Sequence, residues 1–293
     1  MSKIGIVFVG GGGKGAYQIG VWKALDELSL CHKIKAVSGT SVGALNGAMF
    51  CTQKLDSAVS AWSNISEKAI LSREFVSTIP DAIKNYRKGI VHDSWFSNNG
   101  LKKMIEQYLD LTAIKNSKIV FFACASKISK DALLYNSVKS FSQKNILHKI
   151  ISTSYLKLLK TVSSACYFNV QQYDEDIIQD IILSSAAIPL IFPDIIIDDD
   201  IYVDGGLQDN VPIAPLYNAG FDKIFIVDLD SESTISTEKF PNSQFLRLSL
   251  HENNEFQNMK DTFNFTAKNA AIKMEKGYND CINIADRVIK FFN

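Results

Sequence analysis

The sequence has no surplus of either charge. Its 31 Lys and Arg are balanced by 31 Asp and Glu, so the basic excess with which proteins hold nucleic-acid phosphates is missing, and nucleic acid is excluded as a partner. Paired cysteines are missing too. Cys31, Cys51, Cys124, Cys166 and Cys281 are odd in number, widely spaced and without a CxxC pair, which excludes a disulfide framework and a zinc site and fits reduced thiols in the cytoplasm. No stretch approaches the roughly 18 apolar residues of a spanning helix, and the N-terminal apolar run before the glycines is too short for a cleaved signal. The chain is expected to be cytoplasmic, with export by a signal-independent route left open. There is no internal repeat and no low-complexity linker. With 46% apolar and 21% charged residues, composition excludes wholesale disorder, and 293 residues are expected to form one domain.

What is present is an alternation of strands and helices. Ile4–Val9 is a continuous β-branched and aromatic run, suited to a strand buried on both faces of a parallel sheet. It ends in Gly10-Gly11-Gly12-Gly13-Lys14-Gly15, after which Ile19, Trp22, Leu25 and Leu28 recur at helical spacing. A second strand over Ile34–Val37 leads into Gly39-Thr40-Ser41-Val42-Gly43, and Ala44–Cys51 reads as helix. This βαβα order predicts an α/β fold with helices on both faces of a mainly parallel sheet. Residues 52–116 read as a helical insertion, Lys118–Ala125 as a third strand, Tyr167–Val170 as a short one and Ile177–Ser185 as a helix. Ile195–Ile197 and Ile201–Val203 flank Asp198-Asp199-Asp200 as a hairpin tip, with no His or Glu cluster to make it a metal site. Strands follow at Lys223–Leu229 and Gln244–Leu250. A C-terminal helical extension over about 250–293 is expected to run as one helix from Asn254 to Phe291, broken near Gly277.

The first glycine cluster is not a Walker A loop, because no Ser or Thr follows a Gly-Lys at its end. Gly10, Gly12 and Gly15 do fit GxGxxG, and this keeps a dinucleotide-binding oxidoreductase as an alternative. That motif, however, wants an acidic ribose anchor about 20 residues on, where this chain has Val37-Ser38-Gly39. The other reading is an anion cradle of backbone N–H groups at a helix N-terminus. Gly39-x-Ser41-x-Gly43 lies between strand and helix, the setting in which GxSxG forms a nucleophile elbow. If the first two strands pair in parallel, both loops emerge at one sheet edge, and cradle and hydroxyl converge. A free hydroxyl is a poor nucleophile and needs a base. Asp204, at a strand end and followed by Gly205 and Gly206, is the strongest candidate. His251, just after the last strand, would instead complete a triad.

Four blocks then stand in one order: 10–15, 39–43, Ser185-Ala-Ala-Ile-Pro189 and Asp204-Gly-Gly-x-x-x-Asn210-x-Pro212. In these blocks the chain resembles the patatin-like phospholipases, a family of lipid acyl hydrolases with a Ser–Asp dyad on a three-layer α/β/α fold. The resemblance implies that Ser41 is the nucleophile, Asp204 the general base and Gly10, Gly11, Gly12 and Gly13 the oxyanion hole. Lys14, Gly15, Gly39, Gly43, Gly205 and Gly206 would support them. It implies phospholipase A or lysophospholipase activity on phospholipid or another acyl ester, with neither metal nor organic cofactor. A non-catalytic lipid-binding protein that keeps the elbow as scaffold is the remaining alternative.

Two expectations concern the substrate. Trp62, Phe75, Trp95 or Phe96 of the insertion should line an acyl channel over Ser41. Residues 132–173 contain no Asp or Glu but carry Lys139, Lys144, Lys149, Lys157 and Lys160. Within them Leu147, Ile151, Leu158 and Val162 recur at helical spacing, widened by Ile150, Tyr155 and Leu159. Such a basic amphipathic segment, 144–162, would give peripheral contact with an anionic membrane.

Overall fold

A computed structural model of the chain describes residues 3–66, 98–129, 153–189, 191–230, 234–251, 262 and 264–293. Eight strands form one sheet: β1 Ile4–Phe8, β2 Ile34–Thr40, β3 Val120–Ile128, β4 Ser163–Asn169, β5 Ile195–Ile197, β6 Asp200–Asp204, β7 Lys223–Asp228 and β8 Gln244–Ser249. Among the described residues the helices of at least five residues are α1 Ala16–Glu27, α2 Val42–Cys51, α3 Leu55–Ser63, α4 Asn99–Tyr108, α5 Leu111–Lys115, α6 Thr153–Thr161, α7 Glu175–Ser185, α8 Ala214–Asn218, α9 Ala267–Ile282 and α10 Ala285–Phe292.

Strands run in the order β5-β6-β3-β2-β1-β7-β8, and β4 pairs with β3 off this path. The pairs β3-β2, β2-β1, β1-β7 and β7-β8 are parallel, whereas β4, β6 and β5 join antiparallel. This is the mixed, mainly parallel sheet that the alternating pattern implies. Alternation along β1 divides the core. Ile4, Ile6 and Phe8 join a large cluster under α1, α2 and α3, while Val7 meets Leu216 of α8 and Ile224 and Ile226 on the opposite face. The two helical layers are therefore unequal.

The register of β3 matters most. Its first half pairs with β2, as Ala123 with Gly39 and Cys124 with Thr40. At the next residue β2 has ended and β6 takes over, Ala125 pairing with Asp204. β2 and β6 thus meet end to end along β3, each arriving by its C-terminus.

Several boundaries differ from the sequence reading. β2 continues to Thr40, because the elbow glycines tolerate extended backbone up to the turn. β4 begins four residues earlier than expected, at Ser163, as the partner of β3. Asp200 lies within β6 and pairs with Lys127, leaving Asp198 and Asp199 at the exposed tip with φ of 50° and 65°. The C-terminal helix breaks at Asn283 and Ile284, not near Gly277. Gly277 instead lies where α9 crosses α1. A methyl group there would stand 2.1 Å from Tyr17 O, and one at Gly20 would stand 1.9 Å from Met274 O. Backbone touches backbone, so helix continuity and a missing side chain serve the same contact. Tyr17 and Tyr278 flank the crossing with hydrogen bonds to Asp280 (3.0 Å) and Glu27 (2.7 Å).

Of the basic segment, residues 144–152 lie outside the described residues. In α6 and just after it, Leu159 and Val162 are buried, with Ile128 and Val203 in one cluster, whereas Leu156, Lys157 and Lys160 are exposed. The expected stripe is thus at least partly spent on the domain. Among the described residues no helix is long and apolar enough to cross a membrane.

The α1–α9 contact yields a test. Gly20→Ala improves helix propensity by about 1 kcal/mol, yet its methyl group meets a carbonyl that cannot rotate away. Net destabilisation of about 2 kcal/mol is expected in urea unfolding. A midpoint at or above that of the parent would contradict the close crossing.

Candidate active site

Ser41 caps α2 in a conformation that side chains rarely adopt, with φ 56° and ψ −124°. Such strain persists only where the surroundings impose it. Here they do. The Ser41 N–H donates to Ser185 Oγ (2.9 Å), and that hydroxyl donates to Cys124 O (2.5 Å). The Ser41 carbonyl accepts from Ala44 N (2.9 Å) and Leu45 N (3.3 Å). The glycines on either side allow the turn to close: a methyl group at Gly39 would lie 2.2 Å from Gly43 O, and one at Gly43 would lie 2.0 Å from Phe8 O.

Asp204 arrives on β6 along the flank of β3 that β2 has vacated. Its backbone is gripped at both polar groups, N–H to Ala187 O (2.8 Å) and C=O from Ser126 Oγ (2.9 Å). Oδ1 accepts from Gly206 N at 2.7 Å, whereas Oδ2 is buried without a hydrogen-bond partner among the described residues. Burial raises the carboxyl pKa from the ordinary 3.8 to about 6, offset in part by the Ser41 hydroxyl and the Gly206 N–H. A carboxyl desolvated in this way is a stronger base than a surface aspartate. Gly205 admits Cys124 O at a distance where a methyl group would stand 2.3 Å away. Asp209 secures the loop beyond. Its carbonyl accepts from Thr40 Oγ1 (2.9 Å) and its carboxylate from Tyr167 OH (2.6 Å).

The tetraglycine leaves β1 beside β2, with Phe8 opposite Gly39. Its four N–H groups are not equivalent. Gly10 donates to Asn210 O (3.3 Å) and its carbonyl accepts from Asn210 Nδ2 (3.2 Å). The Gly10 N–H thus has a backbone acceptor of its own. Gly12 has φ 56° and touches the backbone of Thr262, where a methyl group would be 2.1 Å from the carbonyl oxygen. A methyl group at Gly15 would stand 2.4 Å from the Val42 side chain and 2.9 Å from the Trp62 ring, and Lys14 is buried.

A cavity of about 560 Å³, counted out through its open mouth, adjoins Ser41 and Gly12. Its walls include Leu45, Met49, Trp62, Leu101, Ile188 and Phe192. Trp62 lines it as the sequence reading expected, while Phe75, Trp95 and Phe96 lie outside the described residues. Sequence reasoning missed Phe192, Leu101 and the supporting role of Ser185. Only Ser185 carried a signal, its place in a quoted block. His251 is exposed after β8. Three strand spacings of about 4.8 Å each separate β8 from β2, so the histidine stands apart from Ser41. Among the described residues no group of three His, Cys, Asp or Glu side chains is arranged to hold a metal ion.

A family model described as patatin-like phospholipase matches residues 6–217. Neuropathy target esterase sws of Drosophila melanogaster is 25% identical over 235 residues, 79% of this chain and 13% of that protein. Lysophospholipase NTE1 of Mycosarcoma maydis is 23% identical over 229 residues, covering 78% of this chain and 10% of that one. The chain thus spans only about a tenth of the length of these relatives. Among solved structures, VipD from Legionella pneumophila aligns over 98% of this chain and 67% of its own, with 14% identity and a TM-score of 0.47.

The Asp204 environment has a thermodynamic signature. With its pKa raised on folding, the folded state holds a proton that the unfolded chain has lost between pH 3.8 and about 6. The contribution to stability is complete below pH 3.8 and is lost as pH rises through 6, an effect of about 3 kcal/mol. Asp204→Asn removes the titration, so its stability relative to the parent should climb by that order between pH 4 and pH 7 in denaturant titrations. A pH-independent difference would contradict the buried carboxyl.

Proposed function

Since the chain belongs to the patatin-like phospholipase family, we propose that it hydrolyses lipid acyl esters through a Ser41–Asp204 dyad, as a serine esterase of phospholipase A or lysophospholipase type. The observation that carries this reading is the end-to-end meeting of β2 and β6 on β3, which brings a strained serine and a buried, half-satisfied carboxylate together beside an apolar cavity.

The chemistry follows from those groups. The acyl chain enters the apolar cavity, and its ester carbonyl comes to rest over Ser41. Ser41 Oγ attacks the carbonyl carbon while its proton passes to Asp204 Oδ2, the oxygen without another partner. The carbonyl π pair moves to oxygen, and the N–H groups of Gly11, Gly12 and Gly13 face the oxyanion, aided by the N-terminal end of the α2 dipole. Collapse expels the alcohol, which takes the proton from Asp204. Water, deprotonated by Asp204 in turn, attacks the acyl-enzyme and frees the fatty acid and Ser41. The scheme calls on no metal or organic cofactor. Gly10, Gly39, Gly43, Gly205 and Gly206 hold the backbone shape; Lys14 and Gly15 close the loop.

A GxGxxG cofactor site is poorly supported. Gly10 and Gly12 are occupied by Asn210 and Thr262, and β2 ends in Thr40 with no acidic anchor. A purely lipid-binding scaffold would leave the Ser41 strain and the Asp204 burial without purpose.

Two experiments test the reading. Ser41→Ala should abolish release of fatty acid from phospholipid and short-chain esters, and a fluorophosphonate should label Ser41 in the parent; undiminished hydrolysis in the variant would refute the assignment. Because the base must be ionised, kcat/KM for a water-soluble ester should fall tenfold per pH unit below about pH 6 and level off above it. A limb near pH 7.5 would point to another base, and one near pH 4 to an Asp204 that water reaches.

Peripheral contact with an anionic lipid surface through 144–162 is part of the same proposal, supported by exposed Leu156 beside Lys157 and Lys160. Changing Lys157 and Lys160 to Glu should weaken sedimentation with phosphatidylserine vesicles at low salt and leave hydrolysis of a dissolved ester unchanged. Equal sedimentation would remove the contact from the proposal.

A further inference from the structure

Behind the site runs a chain of buried carboxamides for which the reaction scheme has no use. Gln18 of α1 and Asn46 of α2 are wholly buried in an otherwise apolar core, and Trp62 of α3 is nearly so. Trp62 Nε1 donates to Asn46 Oδ1 (2.9 Å). Asn46 Nδ2 donates to Gln18 Oε1 (2.8 Å) and to Gly15 O (2.9 Å), and Gln18 Nε2 donates to Val9 O (2.7 Å). The direction of every link is forced. An indole N–H can only donate and the carbonyls of Val9 and Gly15 can only accept, so both amides must point as they do.

The two carbonyls at the end of this chain are not arbitrary. Val9 immediately precedes the glycine loop and Gly15 ends it. Both ends of the loop are therefore tied to α2, the helix whose first residue follows Ser41. At the other end of the chain, the ring of Trp62 is a wall of the apolar cavity. Packing alone gives no reason for two carboxamides here, since apolar side chains of the same size would fill the space without the desolvation that buried amides suffer.

We propose that Asn46 and Gln18 are positioning residues for the oxyanion loop: they fix its two ends relative to Ser41, and Trp62 couples the acyl-chain wall to that frame. The inference rests on the Ser41–Asp204 reading. Asn46 borders the cavity, but its carboxamide is engaged by Trp62, Gln18 and Gly15; each amide acts through the placement of the Gly11–Gly13 N–H groups, where one misplaced donor reduces turnover by orders of magnitude.

The test uses the whole chain carrying Asn46→Leu, Gln18→Met or Trp62→Phe. Active sites are counted by stoichiometric fluorophosphonate labelling, and a short-chain trifluoromethyl ketone serves as probe. Ser41 Oγ adds to the ketone carbon, its proton goes to Asp204, and the π pair becomes an oxyanion held by the loop. For Asn46→Leu and Gln18→Met, kcat per labelled site and affinity for the ketone should fall together by about 10–100-fold. KM should stay within about threefold, and the limb near pH 6 should be retained. Trp62→Phe keeps an aromatic ring but deletes the donor together with part of the cavity wall, so kcat per labelled site and ketone affinity should show a smaller loss, with any rise in KM assigned to the wall; it carries the test if the other two do not fold. A merely structural role would lower the melting temperature or the labelled fraction and leave kcat per site and ketone affinity unchanged, which would overturn the proposal. Failure of the parent reading is distinct: the unmodified chain would then not be labelled at Ser41 at all.

Discussion

Everything at this site depends on one strand being longer than its neighbour. β3 continues past the point where β2 stops, and a sheet does not leave four residues of backbone unpaired in its interior. β6 fills the vacancy from the opposite direction. Two strand termini, remote in sequence, are thereby forced into adjacent positions on a common partner. β2 leads straight into a glycine-flanked serine and β6 ends in an aspartate, so hydrogen-bond pairing of the backbone brings the two residues of the proposed dyad together. The antiparallel strands β4, β6 and β5 are thus not an ornament on a parallel sheet. They place Asp204.

A second constraint is steric. Gly39, Gly43, Gly12 and Gly205 each meet foreign backbone at distances that exclude a methyl group. Carbonyls of Gly43, Phe8, Thr262 and Cys124 come that close because nothing projects between them. The elbow and the glycine loop are shaped less by conformational freedom than by crowding, and Ser41 bears the resulting strain. The raised proton affinity of Asp204 has the same origin. Excluding water from such a tight junction destabilises the ionised carboxylate, so what sharpens the base also weakens the fold.

Much of this was legible in the residues. Apolar runs of β-branched residues located β1, β2, β3 and β7, and glycines between strand and helix located both loops, since these are local properties. Pairing of the first two strands followed from their βαβ connection, which permits little else. The convergence of Asp204 with Ser41 was not derivable locally. It depends on the register of β3 against two partners, and Asp204 was found as a strand-end aspartate beside glycines. Gly277 was misread as a helix break because a sequence cannot distinguish a glycine that interrupts a helix from one that lets another helix approach. The carboxamide chain was equally invisible, since Gln18 and Asn46 look like ordinary helix residues until the packing shows that neither reaches water.

The crossing of α9 on α1 bears on the order in which the site is assembled during synthesis. α1 follows the glycine loop, yet its partner α9 comes about 240 residues later, and Thr262 stands 250 residues beyond Gly12. A chain emerging N-terminus first therefore carries its elbow and glycine loop long before the segments that pack on them exist. Until then Tyr17 and Gly20 present bare backbone and apolar surface to the surroundings. Cover of the loop waits for α9, which makes that helix the timing element of the site.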